Sequence, residues 1–472
     1  MMAPATSSLA CTLGLPHGEA LIVGLGQTGL SVARFLAKNG WSLSIVDARE
    51  DAPSLAELSK IDPDAKCYIG QTEFRYVGDS TGSSMAVNAL MDRSQLVVAS
   101  PGVAPSHALL QAAREQGIPV VGDIEIFART HKETERLAPV AAITGTNGKS
   151  TVTAWLGDMA RRDGIQVAVG GNIGTPALEL LEDAEAELFV LELSSFQLDT
   201  TESLSLRVAT VLNVAEDHLD RYADIGAYAN SKARIFKQTA TAVMNADDPY
   251  VMAMPITAKQ VLFSLQTETD YCLRIEHGEE WLVAQGERVL ALREMRLLGR
   301  HNAANALAAI AMADELGISR GAIAESLREF AGLAHRMEWI ADYAGVRYIN
   351  DSKGTNVGAT LAAVAGLSGG LILIAGGDGK GQDFSPLVEA LRGKVKQVVL
   401  LGRDAQKIAN ALGDTVPWQC VADMAAAVCA ASAAATAGDT VLLSPACSSL
   451  DMFRNYLHRG DVFRQCVAER AG

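Results

Sequence analysis

Hydrophobic and polar positions alternate along the chain in two rhythms. Short apolar runs rich in Val, Ile and Leu are each followed by a turn and then by a segment whose apolar residues recur at helical spacing. "LIVGLGQTGLSVARFLAKNG", residues 21–40, is the first such unit, with Gly24, Gly26 and Gly29 between the apolar run and the helical pattern. "LSIVDAR", "LVVASPG" and "IPVVGDIEIFA" continue the series. The polar stretch "THKETERLAP" (130–139) then ends in Pro139 and predicts a boundary. The pattern restarts at "VAAIT" and continues through "LFVLELSS", "VATVLNV", "AVMNAD" and "KQVLFSL" to a helical stretch from Asn302 to Leu333. It restarts once more in "GVRYINDSKGTN", "LILIAGGDGKG", "VVLLGRD" and "TVLLSPACSSLD". This alternation predicts an α/β protein of three domains built on parallel sheets, at 1–132, 133–333 and 334–472.

A length of 472 residues exceeds what one core organises, which agrees with three units. The net charge of −15 argues against binding nucleic acid or an anionic membrane, while leaving room for a local Lys or helix N-terminus that holds a small anion. Seven cysteines (Cys11, Cys67, Cys272, Cys420, Cys429, Cys447 and Cys466) are dispersed without a C-x-x-C pair, which fits reduced thiols. The first basic residue is Arg34, so the basic region of a signal peptide is missing, and runs such as "LILIA" (371–375) are too short to span a bilayer. A cytoplasmic protein without membrane insertion is expected. The Ala-rich "MAAAVCAASAAATAG" (424–438) predicts a packing helix that ends on a Gly cap.

Candidate chemistry concentrates in "ITGTNGKST", residues 143–151. An apolar strand runs into a Gly-rich turn, Lys149, Ser150 and a helix. Such a turn aims backbone N–H groups and the helix dipole at phosphates, the Lys reaches the terminal groups, and the hydroxyl takes Mg²⁺. Gly145, Thr146, Asn147, Gly148, Lys149, Ser150 and Thr151 are therefore candidate ATP contacts. The spacing departs from the general phosphate loop, because Ile143 stands where its first Gly would be. Glu192 closes another apolar strand, in "VLELSSFQLD", and His218 follows a third, in "LNVAEDHLDRY"; the ends of strands are where α/β sheets place ligands. "GGDGKGQDF" (376–384) lacks Ser or Thr after Lys380 and is rejected as a second phosphate loop.

"GTNGKST" resembles the phosphate loop of the Mur ligase superfamily, ATP-dependent amide-forming ligases of peptidoglycan synthesis, to which folylpolyglutamate synthases are related. The resemblance spans nearly the whole chain. It implies a Rossmann-like first domain that binds a UDP substrate, a central P-loop ATPase-like domain and a Rossmann-like third domain that binds an amino acid. Such a ligase activates a carboxylate as an acyl phosphate, which an amine attacks through a tetrahedral intermediate. Negative charge gathers there, so Mg²⁺ and several cations must converge. By the resemblance, Ser150, Glu192, His218 and a carbamylated Lys232 hold two Mg²⁺ ions, with Lys149, His218, Lys232 and Lys353 as the catalytic set. Asn302 and Asn305, which share a helix face at this spacing, resemble adenine contacts, and Arg336 and Asp351 resemble phosphate and ribose contacts.

The branch that adds D-glutamate to UDP-N-acetylmuramoyl-L-alanine is the nearest match. It implies Thr355, Lys380, Ser449, Leu450 and Phe453 around D-glutamate, and Asn172, Ser194 and Gln197 on the UDP-substrate side. The Gly24–Gly29 turn fits a pyrophosphate, and with ATP assigned to the central loop it is expected to hold the substrate's UDP. Gly26, Gln27, Thr28, Asp47, Arg49 and Ser100 are its candidate contacts. The expected partners are thus three small molecules, ATP among them, acting on a monomer. Residues 78–95, "GDSTGSSMAVNALMDRSQ", are longer than the family's usual segment. Alternatives remain at this point. They are another ligase of the superfamily or a folate polyglutamylase, a nucleotide-switch binding module, and an NAD-dependent oxidoreductase resting on residues 24–29 alone.

Overall fold

The apolar runs form strands buried on both faces, as parallel sheets covered by helices require. In the computed structural model, described for residues 18–50, 52, 54–70, 89–134, 137–218, 221–297, 299–367 and 369–471, these strands make three sheets. Most of the segment 78–95 lies outside the described residues.

The first sheet contains β1 (Glu19–Val23), β2 (Ser42–Asp47), β3 (Lys66–Ile69), β4 (Ser94–Ala99) and β5 (Val120–Val121), in the parallel order β3-β2-β1-β4-β5. Strand order reverses beside β1, so the crevice at its carboxyl end, between the turns after β1 and β4, is where such a sheet accepts a ligand.

The central sheet contains β6 (Val140–Thr144), β7 (Val167–Gly171), β8 (Leu188–Glu192), β9 (Leu206–Val211), β10 (Thr239–Asn245), β11 (Lys259–Ser264), β12 (Tyr271–Glu276), β13 (Glu279–Ala284) and β14 (Glu287–Ala291). Its order is β14-β13-β12-β11-β10-β9-β6-β8-β7, which puts β6 at the switch point, flanked by β8 and β9. The sequence pattern missed the antiparallel meander β12–β14, whose two-residue turns each carry Gly second: His277-Gly278 and Gln285-Gly286. All four residues have positive φ (53°, 82°, 51° and 85°), the backbone of tight hairpin turns whose twist matches that of the strands.

The third sheet contains β15 (Glu338–Tyr343), β16 (Val346–Asn350), β17 (Leu371–Ala375), β18 (Val395–Leu400), β19 (Trp418–Cys420) and β20 (Thr440–Leu443), in the order β15-β16-β20-β17-β18-β19. It is parallel except for β15, another hairpin edge.

One continuous apolar cluster joins the first two sheets. Ile124, Phe127 and Ala128 on the helix Asp123–Lys132 pack with Phe189, Leu191 and Leu198, and the Phe127 and Phe189 rings meet edge-on at 5.6 Å. The third sheet has clusters of its own on its two faces. Polar anchoring follows the same division. Glu125, buried at the first boundary, accepts from Glu202 N (2.7 Å), Ser203 N (2.9 Å), Ser203 Oγ (2.7 Å) and Arg129 Nε (2.7 Å). The helix Arg300–Glu315 is apolar all round and buried from Ala306 to Ala313, the signature of a helix sunk in a core.

Burial pushes the Glu125 carboxyl up, but its hydrogen bonds outweigh that effect and leave it below the usual 4.5. Glu125→Ala is expected to cost about 3 kcal/mol by freeing buried donors, readable by calorimetry. A lowered folded pKa contributes stability above the unfolded value that is lost as pH falls through the folded one. The stability gap between wild type and variant should therefore close under acid conditions, and a gap independent of pH would count against the assignment.

Candidate active site

Register sets the centre of the site. Ile143 pairs with Glu192 and Thr144 with Val211, so the turn after β6, the end of β8 and the loop after β9 emerge at one level. The turn is then fixed by its neighbours. Thr146 N donates to Asn213 O (2.9 Å), Asn147 N to Asn213 Oδ1 (2.9 Å), and Ala215 N to Thr146 Oγ1 (3.0 Å). Gly148 has φ +83°, and a Cβ there would lie 2.4 Å from Asn305 Oδ1 on the buried helix. Asn305 in turn donates to Asn302 Oδ1 (3.2 Å), so both asparagines are held against the loop.

Two lysines converge on one carbonyl. Lys149 Nζ donates to Gly145 O and Thr146 O, each at 2.8 Å, and Lys232 Nζ donates to Gly145 O at 2.9 Å. Lys232 is 1 % exposed and its ammonium lies 4.2 Å from the centre of the Tyr228 ring. Burial, reinforced by the Lys149 charge, holds the Lys232 pKa well below the ordinary amine value. Lys149 is lowered as well, by burial, with Glu192 opposing.

Ser150 Oγ donates to Glu192 Oε2 and Asn172 Nδ2 donates to Glu192 Oε1 (2.7 Å), so the buried carboxylate has a partner on each oxygen. Arg336, from beyond the central sheet, also donates to Ser150 Oγ. His218 takes positive φ (55°) and packs edge-on against Phe196 at 4.8 Å, beside Asp217. Among the described residues no three His, Cys, Asp or Glu side chains cluster as a metal cage. The donors are mixed instead, with Ser150 and Glu192 offering hard oxygens side by side, as suits Mg²⁺.

These groups line a cleft of about 490 Å³ between the central and third sheets, which also includes Thr151, Ser194, Asp351, Lys353, Thr355 and Lys380. Burial pushes Asp351 up to about 7, although Ser444 Oγ donates to it at 2.8 Å. Burial, with Arg336 next in effect, lowers Lys353 to about 8. Lys353 Nζ lies 4.1 Å from the centre of the Tyr456 ring. Sequence reasoning missed Tyr456; Phe453, the aromatic named instead, packs against the third sheet's core. The motif offered both rings three residues apart, and only the fold separates them. Ser449 is buried and Leu450 is 70 % exposed, and neither lines the cleft. An antiparallel bridge between Asp378 and Ser448 nevertheless draws their loop beside the Lys380 turn. Ser194 and Gln197 engage each other as a capping box, and Gln197 Nε2 reaches Asp123 Oδ2 (3.0 Å) across the domain boundary, away from the cleft.

A second set of candidates gathers at the switch point of the first sheet. Asp47 Oδ2 accepts from Leu25 N (2.7 Å) and pairs with Arg49, which holds its carboxyl down at about 2. Ser100 Oγ donates to Gly24 O (2.7 Å). A Cβ on Gly29 would lie 2.1 Å from Gly24 O, whereas one on Gly26 would meet nothing within 4 Å. Gly26 thus caps the helix Gln27–Lys38 beside open space, with Gln27 exposed and Thr28 half-buried in its first turn. Arg221 links the two sites by donating to the carbonyls of Pro101, Gly102 and Val103 while its guanidinium covers the Phe196 ring at 4.0 Å.

A phosphate-loop turn, a buried oxygen donor pair and converging cations suit an enzyme that handles a nucleotide, and the chain belongs to the Mur ligase family, a class of ATP-dependent ligases. The family's MurD-like N-terminal domain matches residues 18–122, its middle domain 143–313 and its glutamate ligase domain 335–447. The chain is 48 % identical over 454 residues to a UDP-N-acetylmuramoylalanine--D-glutamate ligase of Nitrosococcus oceani, covering 95 % of this chain and 96 % of the relative. It is 47 % identical over 456 residues to the enzyme of that name from Pseudomonas syringae pv. syringae, covering 95 % and 97 %. Among solved structures, UDP-N-acetylmuramate-alanine ligase of Thermotoga maritima shares the fold, with a TM-score of 0.62 at 20 % identity over 96 % of this chain and 100 % of that one.

Gly148→Ala should raise the KM for ATP by about tenfold or more, because the substitution adds both backbone strain and the Asn305 clash. Steady-state kinetics at saturating co-substrates check this, and an unchanged KM would remove the loop from ATP binding.

Proposed function

We infer that the chain is a UDP-N-acetylmuramoylalanine--D-glutamate ligase of peptidoglycan precursor synthesis. It couples ATP, UDP-N-acetylmuramoyl-L-alanine and D-glutamate to ADP, phosphate and the D-glutamyl product. Near-full-length identity of 45–48 % to ligases of that name carries this reading. The rival oxidoreductase rested on the Gly24–Gly29 turn, which lies within the MurD-like N-terminal domain match.

The reaction places a carboxylate against the γ-phosphoryl group of ATP. A carboxylate oxygen attacks phosphorus, the bond to the β–γ bridging oxygen breaks, and ADP leaves. The amine of D-glutamate then adds to the acyl carbon, and the tetrahedral intermediate expels phosphate as the nitrogen loses its proton. Lys149, held at the phosphate loop, and Arg336, at Ser150, are suited to neutralise the transferring oxygens. Lys353 is suited to hold the acyl phosphate toward the amino acid, with Thr355, Lys380 and Tyr456 near it and Ser449 and Leu450 on the loop that the bridge between Asp378 and Ser448 draws beside the Lys380 turn. Asn302 and Asn305 support adenine, and Asp351 the ribose. Gly26, Gln27, Thr28, Asp47, Arg49 and Ser100 support the UDP moiety, with Asn172 and Ser194 nearer the reacting carboxylate. Closure of the cleft around these groups excludes water from the acyl phosphate.

Ser150 and Glu192 would hold one Mg²⁺, which when bound supplies positive charge at the phosphate oxygens. A second, at His218, fits only if Lys232 is carbamylated, because Mg²⁺ takes oxygen ligands and an amine offers none. Burial favours the neutral amine, which adds to CO₂ and releases a proton to give a carbamate. The proposed domain limits are 1–132, 133–333 and 334–472, supported by the limits of the three sheets. A monomer belongs to the same reading, and ATP and UDP-linked substrates support a cytoplasmic location. No helix among the described residues is long and apolar enough to cross a membrane.

Phosphate release from ATP and UDP-N-acetylmuramoyl-L-alanine should require D-glutamate, and release equally stimulated by L-glutamate on a folate would sink the reading. Lys232→Arg should abolish turnover in a folded protein and lose the carbamate resonance that ¹³C-bicarbonate gives the wild type. A resonance absent from the wild type would remove the carbamate.

A further inference from the structure

Arg459 lies in the helix Tyr456–Ala471, is only 2 % exposed, and forms no ion pair among the described residues. Its three hydrogen bonds go to neutral acceptors: Nε to Ser352 Oγ (3.0 Å), Nη2 to Ser352 O (2.7 Å) and Nη1 to Cys447 O (3.1 Å). Asp451 and Asp351 attract the cation only from beyond ion-pair distance, so its burial still costs free energy that an apolar side chain of similar volume would avoid. The arginine therefore needs a reason that its charge alone does not give. Geometry supplies one, because only a planar fork of donors can grip two separate backbone segments at once.

Those segments are the loops after β16 and β20. The two strands are parallel neighbours, with Asn350 opposite Leu443. Beyond that pair the chains part. One loop carries Lys353 and Thr355 into the cleft, and the other carries Ala446, at a left-handed φ of 59°, on to Ser449. Ala446 N to Gly354 O (2.9 Å) and Ser444 Oγ to Asp351 Oδ2 (2.8 Å) join them directly, both short of the Ser449 end of the second loop. Ser352 Oγ, besides accepting from Arg459, donates to Tyr456 O (2.8 Å), which ties the start of the helix, and with it the ring beside Lys353, into the same knot. Burial lowers the Arg459 pKa only to about 10, so the fork stays protonated at neutral pH.

We propose that Arg459 is a positioning residue for the amino-acid subsite, stapling the Lys353–Thr355 loop to the Ser449 loop so that both face one dicarboxylate. The proposal rests on the reading above that these two loops hold D-glutamate. Arg459 itself does not line the cleft, and it acts on the spacing of the groups proposed to hold the substrate.

Arg459→Lys keeps the cation and removes the fork. The expected result is a KM for D-glutamate raised about tenfold or more, with the KM values for ATP and UDP-N-acetylmuramoyl-L-alanine within about twofold and the melting temperature close to wild type. A purely structural role would move all three constants together, and that outcome overturns the proposal, as does an unchanged KM for D-glutamate. If Arg459→Lys fails to fold, Ser352→Ala removes the acceptor of Arg459 Nε together with the bond to Tyr456 O and should raise only the D-glutamate KM, by about threefold; no change there also overturns it. Lys380→Ala and Ser449→Ala test the underlying reading separately. If neither alters the D-glutamate KM, the subsite assignment fails whatever the Arg459 variants do.

Discussion

Backbone groups of the turn between Thr144 and Ser150 are held on both sides by the protein itself. Asn213 grips Thr146 and Asn147 from the next strand's loop, and Asn305 presses on Gly148 from a helix sunk in the core. A phosphate loop works only if its N–H groups are already aimed, because ordering them during binding would consume the affinity they provide. Much else in the site follows from this rigidity. Glu192 stands beside Ser150 because β8 is in register with β6, and Lys232 reaches Gly145 because its helix packs under the same turn.

The first domain repeats the strand–turn–helix device with different fastenings. Asp47 fills the role that Asn213 plays in the centre by accepting from the turn's own N–H, and Ser100 closes the other side. This domain is bound to the central one by a shared core and by the fully engaged Glu125, whereas the third domain keeps its own cores. It meets the cleft through polar contacts such as Arg336 on Ser150 and Asn356 on Asp217 (3.3 Å). Polar contacts of this kind are easier to break and remake than an apolar core, which suits a domain that must admit ATP and amino acid and release products.

Local chemistry was legible in the sequence wherever one short segment carries it. "GTNGKST" announces strand, turn and helix together, Glu192 ends the apolar strand that places it, and His218 lies in the loop after another. What escaped depends on long-range geometry. Nothing in "SPACSSLDMFRNY" says that Tyr456 and not Phe453 lies under Lys353, because the loop's path decides which ring turns inward. Gln197 reads as a substrate contact, yet its amide crosses to Asp123, 74 positions away. The meander β12–β14 was missed because its strands are half polar and resemble surface loop until the positive-φ turns are seen.

That meander also bears on how the molecule keeps to itself. Without it, β11 would end the nine-stranded sheet as a row of unpaired parallel backbone groups, a template for another chain. The meander replaces that row with β14, five residues long and opening on Glu287 and Arg288; Arg288 is paired with Glu276 two strands away. A short edge that presents both signs of charge offers a stray strand little to pair with. Colloidal restraint is thus built into the far rim of the sheet whose middle binds the nucleotide.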